Sequence, residues 1–287
     1  MNQIVEKWKS VLHTSNRSTI LVGLLLFIGL VILLTFTLPE APDWHNLYRP
    51  GALAMIQGKN PFDNPIFYNA PWVLIPMIPL LLLPEAVGRA ILTVATLVIL
   101  VLVAHRFGAR PVGIVFILLS PPVFQLMLDG NIDWIVALGF ILPPQIGLFL
   151  LAVKPQTGMV VGIFWLVEAY QKGRIREVFR VFLPVTLAFV ISFLMYGFWP
   201  LRFSTALELG GNASLWPMSI PIGLALTAAA MRKHRVEYAM AASPCLTPYA
   251  LLHSWISPLL AIAGSTTETI CAVAGLWMVV IIRALGR

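Results

Sequence analysis

The chain has 287 residues, of which 59% are apolar and only 11% are charged. A soluble domain of this length needs more charged surface, so the composition excludes a soluble globular protein and predicts an integral membrane protein. The formal charge is +7, but the Lys and Arg residues stand in short clusters between apolar runs. That distribution is typical of membrane topology, so we expect a lipid bilayer and no nucleic acid as partner.

The first third of the chain predicts one anchor and one large loop. Residues 1–18 are polar and basic, and the apolar run over 19–38 is long enough to cross a bilayer. No small-residue cleavage pattern follows this run, so we interpret 1–18 as a cytoplasmic head and 19–38 as a retained anchor. Residues 39–84 then form an outer loop. Its apolar part, 72–83, is short and contains two prolines, and the positive-inside rule favours a re-entrant or tilted segment there.

The remaining two thirds predict further membrane helices separated by basic turns. Two runs, 135–142 and 145–153, are joined by Pro143-Pro144 and are short for a crossing, so we expect a broken-helix hairpin that lines a cavity. We predict an all-α polytopic bundle of nine to eleven membrane segments in a single domain, 1–287. The other predicted helices are 86–104, 112–128, 158–170, 178–198 and 218–231.

Few polar residues in this apolar chain need a function. Asp43 follows the first span, and it fits either a solvated acid that caps the next helix or a catalytic base. Asp63 stands between Asn and Pro residues, a pattern typical of a turn. The group Asp129, Asn131 and Asp133 marks either an interfacial turn or a weak set of oxygen ligands for a hard cation. We predict no cofactor and no metal site, with a divalent ion left open.

Lys154 lies between two short apolar segments, where burying its charge costs free energy. Its ammonium group therefore either snorkels to the interface or meets an anion such as a phosphate. Pro155 interrupts the helix next to it and frees backbone groups to line a cavity. His253 fits a satisfied interfacial histidine better than a base.

The order of these motifs resembles the polyprenyl-phosphate-mannose-dependent mannosyltransferases of family eighty-seven, in the GT-C superfamily of membrane glycosyltransferases. Asp43 comes soon after the first span, and Lys154-Pro155 follows a short hairpin. The family's Gly-Gln-x-Asn motif is altered here to Gly130-Asn131-Ile132-Asp133. The other matching segments are Tyr48 to Ile56, Gly58-x-Asn60-Pro61-Phe62, Tyr68 to Pro71, Ser243-Pro244 and His253-Ser254-Trp255.

The resemblance implies an inverting transfer of a sugar from a polyprenyl-phosphate donor to a glycan or glycolipid acceptor on the extracytoplasmic face of the cell membrane. It implies that Asp43 is the catalytic base. Lys154 and Arg49 become candidate ligands of the donor phosphate. The candidate substrate-binding residues are Tyr48, Asn60, Asn131, Asp133, Gln156 and His253.

Two other functions fit the same sequence. A transporter or lipid-handling protein also uses broken helices around a central site. Because the chain is short for the family and its Gly-Asn motif is altered, a GT-C-like subunit without activity is the third interpretation.

Overall fold

The computed structural model describes residues 17–202 and 210–286, with side chains described from residue 21 onward. Within these ranges the chain is helical and contains no β-strand. The basic head predicted over residues 1–18 lies almost wholly outside them.

Twelve α-helices are described, joined by turns and short 3-10 segments. In chain order they are α1 (Arg17–Thr37), α2 (Arg49–Ile56), α3 (Glu85–Arg106), α4 (Pro111–Leu118), α5 (Pro121–Asp129), α6 (Asp133–Gly139), α7 (Pro144–Leu151), α8 (Pro155–Tyr196), α9 (Ile220–Lys233), α10 (Val236–Ala242), α11 (Ile256–Ala261) and α12 (Thr266–Leu285).

Three of the described helices, α3, α8 and α12, are long and apolar enough to cross a membrane. Helices α4 and α5, which meet at 53°, add a fourth span if they are counted as one. These helices confirm the all-helical class and indicate a membrane protein. The described chain therefore offers three or four helices of spanning length, against the nine to eleven predicted membrane segments.

Prolines explain why several predicted spans are broken. The sequence predicts one helix over 112–128, but the structure has two helices that are separated before Pro121 and Pro122. Proline lacks a backbone N–H and clashes with the preceding turn, so an α-helix cannot continue undisturbed through the pair. The prediction of a continuous span over 112–128 was therefore wrong, whereas the broken hairpin appears as α6 and α7.

Helix α8 contains two of the predicted helices. Its backbone leaves the helical region at Gly173 and Arg174, and Arg174 has a left-handed φ of 52°. Residues from both halves of α8, such as Gly158 and Val185, line one cavity of about 330 Å³ together with α7. The chain therefore turns back at the break, so that the two halves face each other.

The apolar part of the large loop does not form an α-helix. Residues Pro71–Leu82 form a 3-10 helix of 12 residues that contains Pro76 and Pro79. Its buried side chains belong to the same core cluster as Trp44 and Phe62, which come from earlier in the loop. The segment thus packs the loop onto the helices, and its depth in a membrane stays a prediction.

Candidate functional site

The large loop starts where a buried arginine closes the end of α1. The guanidinium group of Arg89, on α3, donates hydrogen bonds to the carbonyls of Leu38, at 2.8 Å, and Pro39. Arg89 is only 7% exposed. A cation is favourable at the C-terminal end of a helix because the last carbonyls lack partners within the helix. This contact fixes the start of the loop against α3, a few residues before Asp43.

A glycine lets this loop approach the turn after α5. Gly130 has a φ of 66° and ends α5 in the left-handed conformation. A Cβ at this position would lie 2.9 Å from the Cβ atoms of both Ala41 and Trp44. Because glycine has no Cβ, the residues around Asp43 can pack directly against the turn that carries Asn131.

Asn131 joins Asp43 to Lys154. Its side-chain NH₂ donates a hydrogen bond to Asp43 Oδ2. Its Oδ1 accepts hydrogen bonds from Lys154 Nζ at 2.5 Å and from the backbone N–H of Ile132 at 2.6 Å. The Asp43 carboxylate makes no capping hydrogen bond to the helical turn that follows it, so the capping interpretation was wrong. Asp43 instead faces the second polar loop.

Lys154 is paired inside the protein. Its Nζ lies 2.6 Å from Asp133 Oδ2, and the two residues are only 3% and 0% exposed. Thr157, in the first turn of α8, donates a hydrogen bond of 3.3 Å to the other Asp133 oxygen. The snorkelling interpretation of Lys154 was therefore wrong. The anion that Lys154 meets in this structure is the Asp133 carboxylate.

His253 lies on the other side of Asp133 and is completely buried, so the prediction of an interfacial histidine was wrong. Its Nδ1 is 2.5 Å from Asp133 Oδ2, close enough for an ion pair, although neither ring nitrogen forms a hydrogen bond of regular geometry with the described residues. Burial alone would raise the pKa of Asp133, but Lys154 and His253 together hold that pKa well below its usual range.

Asp129 completes the cluster. One ligand atom from each of Asp43, Asp129 and His253 lies within 4.8 Å of the other two. Asp43 and Asp129 are half-buried. The cluster thus holds three carboxylates against one lysine, so its net charge is negative unless a further cation joins it. We name Asp43, Asp129, Asn131, Asp133, Lys154 and His253 the acidic cluster.

Two further predicted site residues lie in the loop near Asp43. Tyr48 is 1% exposed, and burial raises its pKa well above the usual value, with a smaller contribution from the Asp43 carboxylate. The phenol is therefore a neutral group at physiological pH. Arg49 Nη1 lies 3.9 Å from Glu85, and about a third of its side chain is exposed. It pairs with Glu85 instead of with the acidic cluster.

The last two predicted residues stay outside the hydrogen-bond network. Asn60 Oδ1 accepts a hydrogen bond of 3.0 Å from the backbone N–H of Phe62, so its side chain caps a local turn. Gln156 is half-buried in the first turn of α8. The sequence did not predict that Thr157 and Arg89 belong to the site, because no motif next to either residue identifies its hydrogen-bond partner.

No known protein family, no curated protein and no solved structure matches this chain. The function must therefore be inferred from the acidic cluster and the residues around it.

Proposed function

We propose that this chain is a polytopic membrane glycosyltransferase of the GT-C kind. It would transfer mannose or a related sugar from a polyprenyl-phosphate donor to a glycan or glycolipid acceptor on the extracytoplasmic face of the cell membrane. The observation that carries the proposal is a buried acidic cluster together with an apolar cavity whose lining includes Pro155, the residue after Lys154. Such a pair of surfaces suits a substrate with a long apolar chain and a polar head.

The apolar cavity is lined by residues on both sides of Lys154 in the chain, among them Ala152 and Pro155. Its volume is about 330 Å³, and its walls come from α7 and from both halves of α8. Pro155, Gly158 and Gly162 line one side, and Phe182 and Phe189 belong to the other. Gly158 lets α7 pack closely against α8, because a Cβ there would lie 2.7 Å from the Leu151 side chain. A prenyl chain in this cavity would hold its phosphate sugar near the acidic cluster.

Asp43 is the best-placed general base among the acids. It is half-buried and receives the Asn131 amide on one oxygen. In an inverting transfer, Asp43 takes the proton of the acceptor hydroxyl while the hydroxyl oxygen forms a bond to C1 of the sugar. The bond from C1 to the phosphate oxygen breaks, and the lipid phosphate leaves with that electron pair.

Lys154 has a different role in this proposal from the one that the sequence predicts. Because its ammonium group is held by Asp133 and Asn131, it orients Asn131, which in turn holds Asp43. Lys154 is a positioning residue here. Arg49 remains a candidate ligand of the donor phosphate, since about a third of its side chain is exposed.

The test compares two aspartates of the same loop. Purified protein in lipid nanodiscs is incubated with radiolabelled polyprenyl-phosphate mannose and a panel of glycan and glycolipid acceptors. Asp43→Asn should lower the transfer rate by about two to four orders of magnitude, because loss of a general base usually costs that much. Asp63→Asn is the matched control, since Asp63 is exposed in a 3-10 turn, and it should keep the rate of the unmodified protein. An Asp43→Asn variant with an unchanged rate would refute the assignment of the base.

The apolar cavity also favours a second function, that of a lipid-handling protein without transferase activity. Its lining consists almost entirely of apolar side chains, which suffice to bind a prenyl or acyl chain. Saturable binding of polyprenyl phosphate with no product from any acceptor would support this second function over the first.

A further inference from the structure

We propose that Asp43, Asp129 and His253 bind a divalent metal ion of the Mn²⁺ or Zn²⁺ type. One oxygen or nitrogen ligand atom from each residue lies within 4.8 Å of the other two. Metal–ligand bonds to carboxylate and imidazole groups are about 2.0–2.2 Å long, so ligands on one ion lie roughly 3–4.4 Å apart. A small side-chain movement therefore closes the three ligands around one ion.

The surroundings of His253 point to a ligand independently of the acids. The side chain is completely buried, yet Nε2 has no hydrogen-bond partner among the described residues. A buried polar atom without a partner costs free energy, so such an atom in a native site calls for a missing group. Nδ1 lies 2.5 Å from Asp133 Oδ2. A carboxylate at one ring nitrogen, with the other nitrogen left available, is the usual arrangement of a metal-binding histidine.

The charge balance supports the same conclusion. Lys154 is paired with Asp133, and Asp43 and Asp129 lie close together with no lysine or arginine paired to either among the described residues. Two neighbouring carboxylates disfavour each other's ionised form unless a proton or a cation joins them. A divalent ion removes that repulsion.

The ligand types narrow the choice of ion. Two carboxylate oxygens and one imidazole nitrogen suit Mn²⁺ or Zn²⁺, whereas Ca²⁺ and Mg²⁺ favour oxygen ligands alone. Three protein ligands leave coordination positions open, as in metal sites that also bind a substrate.

The use of the ion rests on the proposed function, although its binding does not. An ion at this place would supply the positive charge that the departing phosphate needs and that Lys154, paired with Asp133, lacks. A carboxylate has two oxygens, so Asp43 can bind the ion through one and take the acceptor proton through the other.

Metal binding is tested on the full chain in detergent, without substrate. The protein is stripped with EDTA and titrated with Mn²⁺, and free Mn²⁺ is measured by electron paramagnetic resonance. We expect one class of saturable sites. His253→Gln and Asp129→Asn should each weaken binding by more than roughly tenfold. His234→Gln is the matched control, because His234 forms an exposed pair of 2.7 Å with Glu168, and it should bind Mn²⁺ like the unmodified protein.

Each outcome decides the proposal. Absence of saturable Mn²⁺ binding, or equal binding by the unmodified protein and a folded Asp129→Asn variant, overturns the metal site. Thermal unfolding and gel filtration establish which variants are folded, and Asp129→Asn keeps the test decisive if His253→Gln fails to fold. Sugar transfer in EDTA by a protein that binds no Mn²⁺ would overturn the metal site and leave the transferase standing. Mn²⁺ binding by a protein that transfers no sugar would support the metal site and overturn the transferase.

Discussion

Replacing Asp133 by Asn should destabilise the protein more than replacing its partner Lys154 by Met. Asp133→Asn leaves a lysine that is 3% exposed without the carboxylate that its ammonium group contacts directly. Its remaining partner is the neutral Asn131 oxygen at 2.5 Å. Lys154→Met, in contrast, leaves the Asp133 carboxylate next to His253, 2.5 Å away. The Asp133 carboxylate also keeps the hydrogen bond from Thr157, so part of its hydrogen bonding is retained.

The magnitudes follow from the burial of the pair. Removal of one partner from a buried ion pair typically costs about 3–5 kcal/mol, since the other charge stays buried and uncompensated. We expect this range for Asp133→Asn. For Lys154→Met we expect about 1–3 kcal/mol, the usual cost of leaving a buried polar group without one partner. The double variant should be more stable than Asp133→Asn alone, because no ammonium group is then buried.

Equilibrium unfolding in mixed micelles, followed by far-ultraviolet circular dichroism, measures the free energy of unfolding of the three variants. The matched control is Arg180→Met, which removes an exposed cation whose partner, Glu177, is 3.4 Å away on the same helix. It should change the free energy of unfolding by less than about 1 kcal/mol. If Asp133→Asn costs no more than this control, or if the double variant is the least stable of all, Lys154 and Asp133 do not form the buried pair described above.

Two further predictions concern the loop and the topology. Gly130→Ala should lower the free energy of unfolding by about 1–3 kcal/mol, because the left-handed backbone disfavours a Cβ and Trp44 leaves no space for one. An unchanged free energy of unfolding in mixed micelles would contradict the close packing of the loop against the turn. Lys59→Cys and Arg110→Cys, each in a background without the native cysteines, should react with an impermeant thiol reagent from opposite sides of the membrane, since the basic turns are expected inside. Labelling of both exposed positions from intact cells would refute that topology.

The apolar character and the helix breaks were determined by local sequence. Helix α3 spans Glu85–Arg106, close to the predicted 86–104, because an uninterrupted apolar run between Pro84 and a basic turn has one stable conformation in a membrane. The hairpin of α6 and α7 was likewise predictable from Pro143-Pro144. Asn131 and Lys154 could be recognised as unusual because an amide and a charge stand out in apolar surroundings. Each of these features depends on neighbours along the chain.

Partners and burial, in contrast, were decided by the tertiary structure. Asp43, Asp129 and His253 stand in three separate parts of the sequence, and only the fold brings their ligand atoms together. The sequence is compatible with a Lys154 ammonium group at the membrane interface or beside an anion, and the structure pairs it with Asp133. The physical reason is that the free energy of a buried charge depends on which groups lie within a few ångströms of it, and residue order along the chain does not specify those groups.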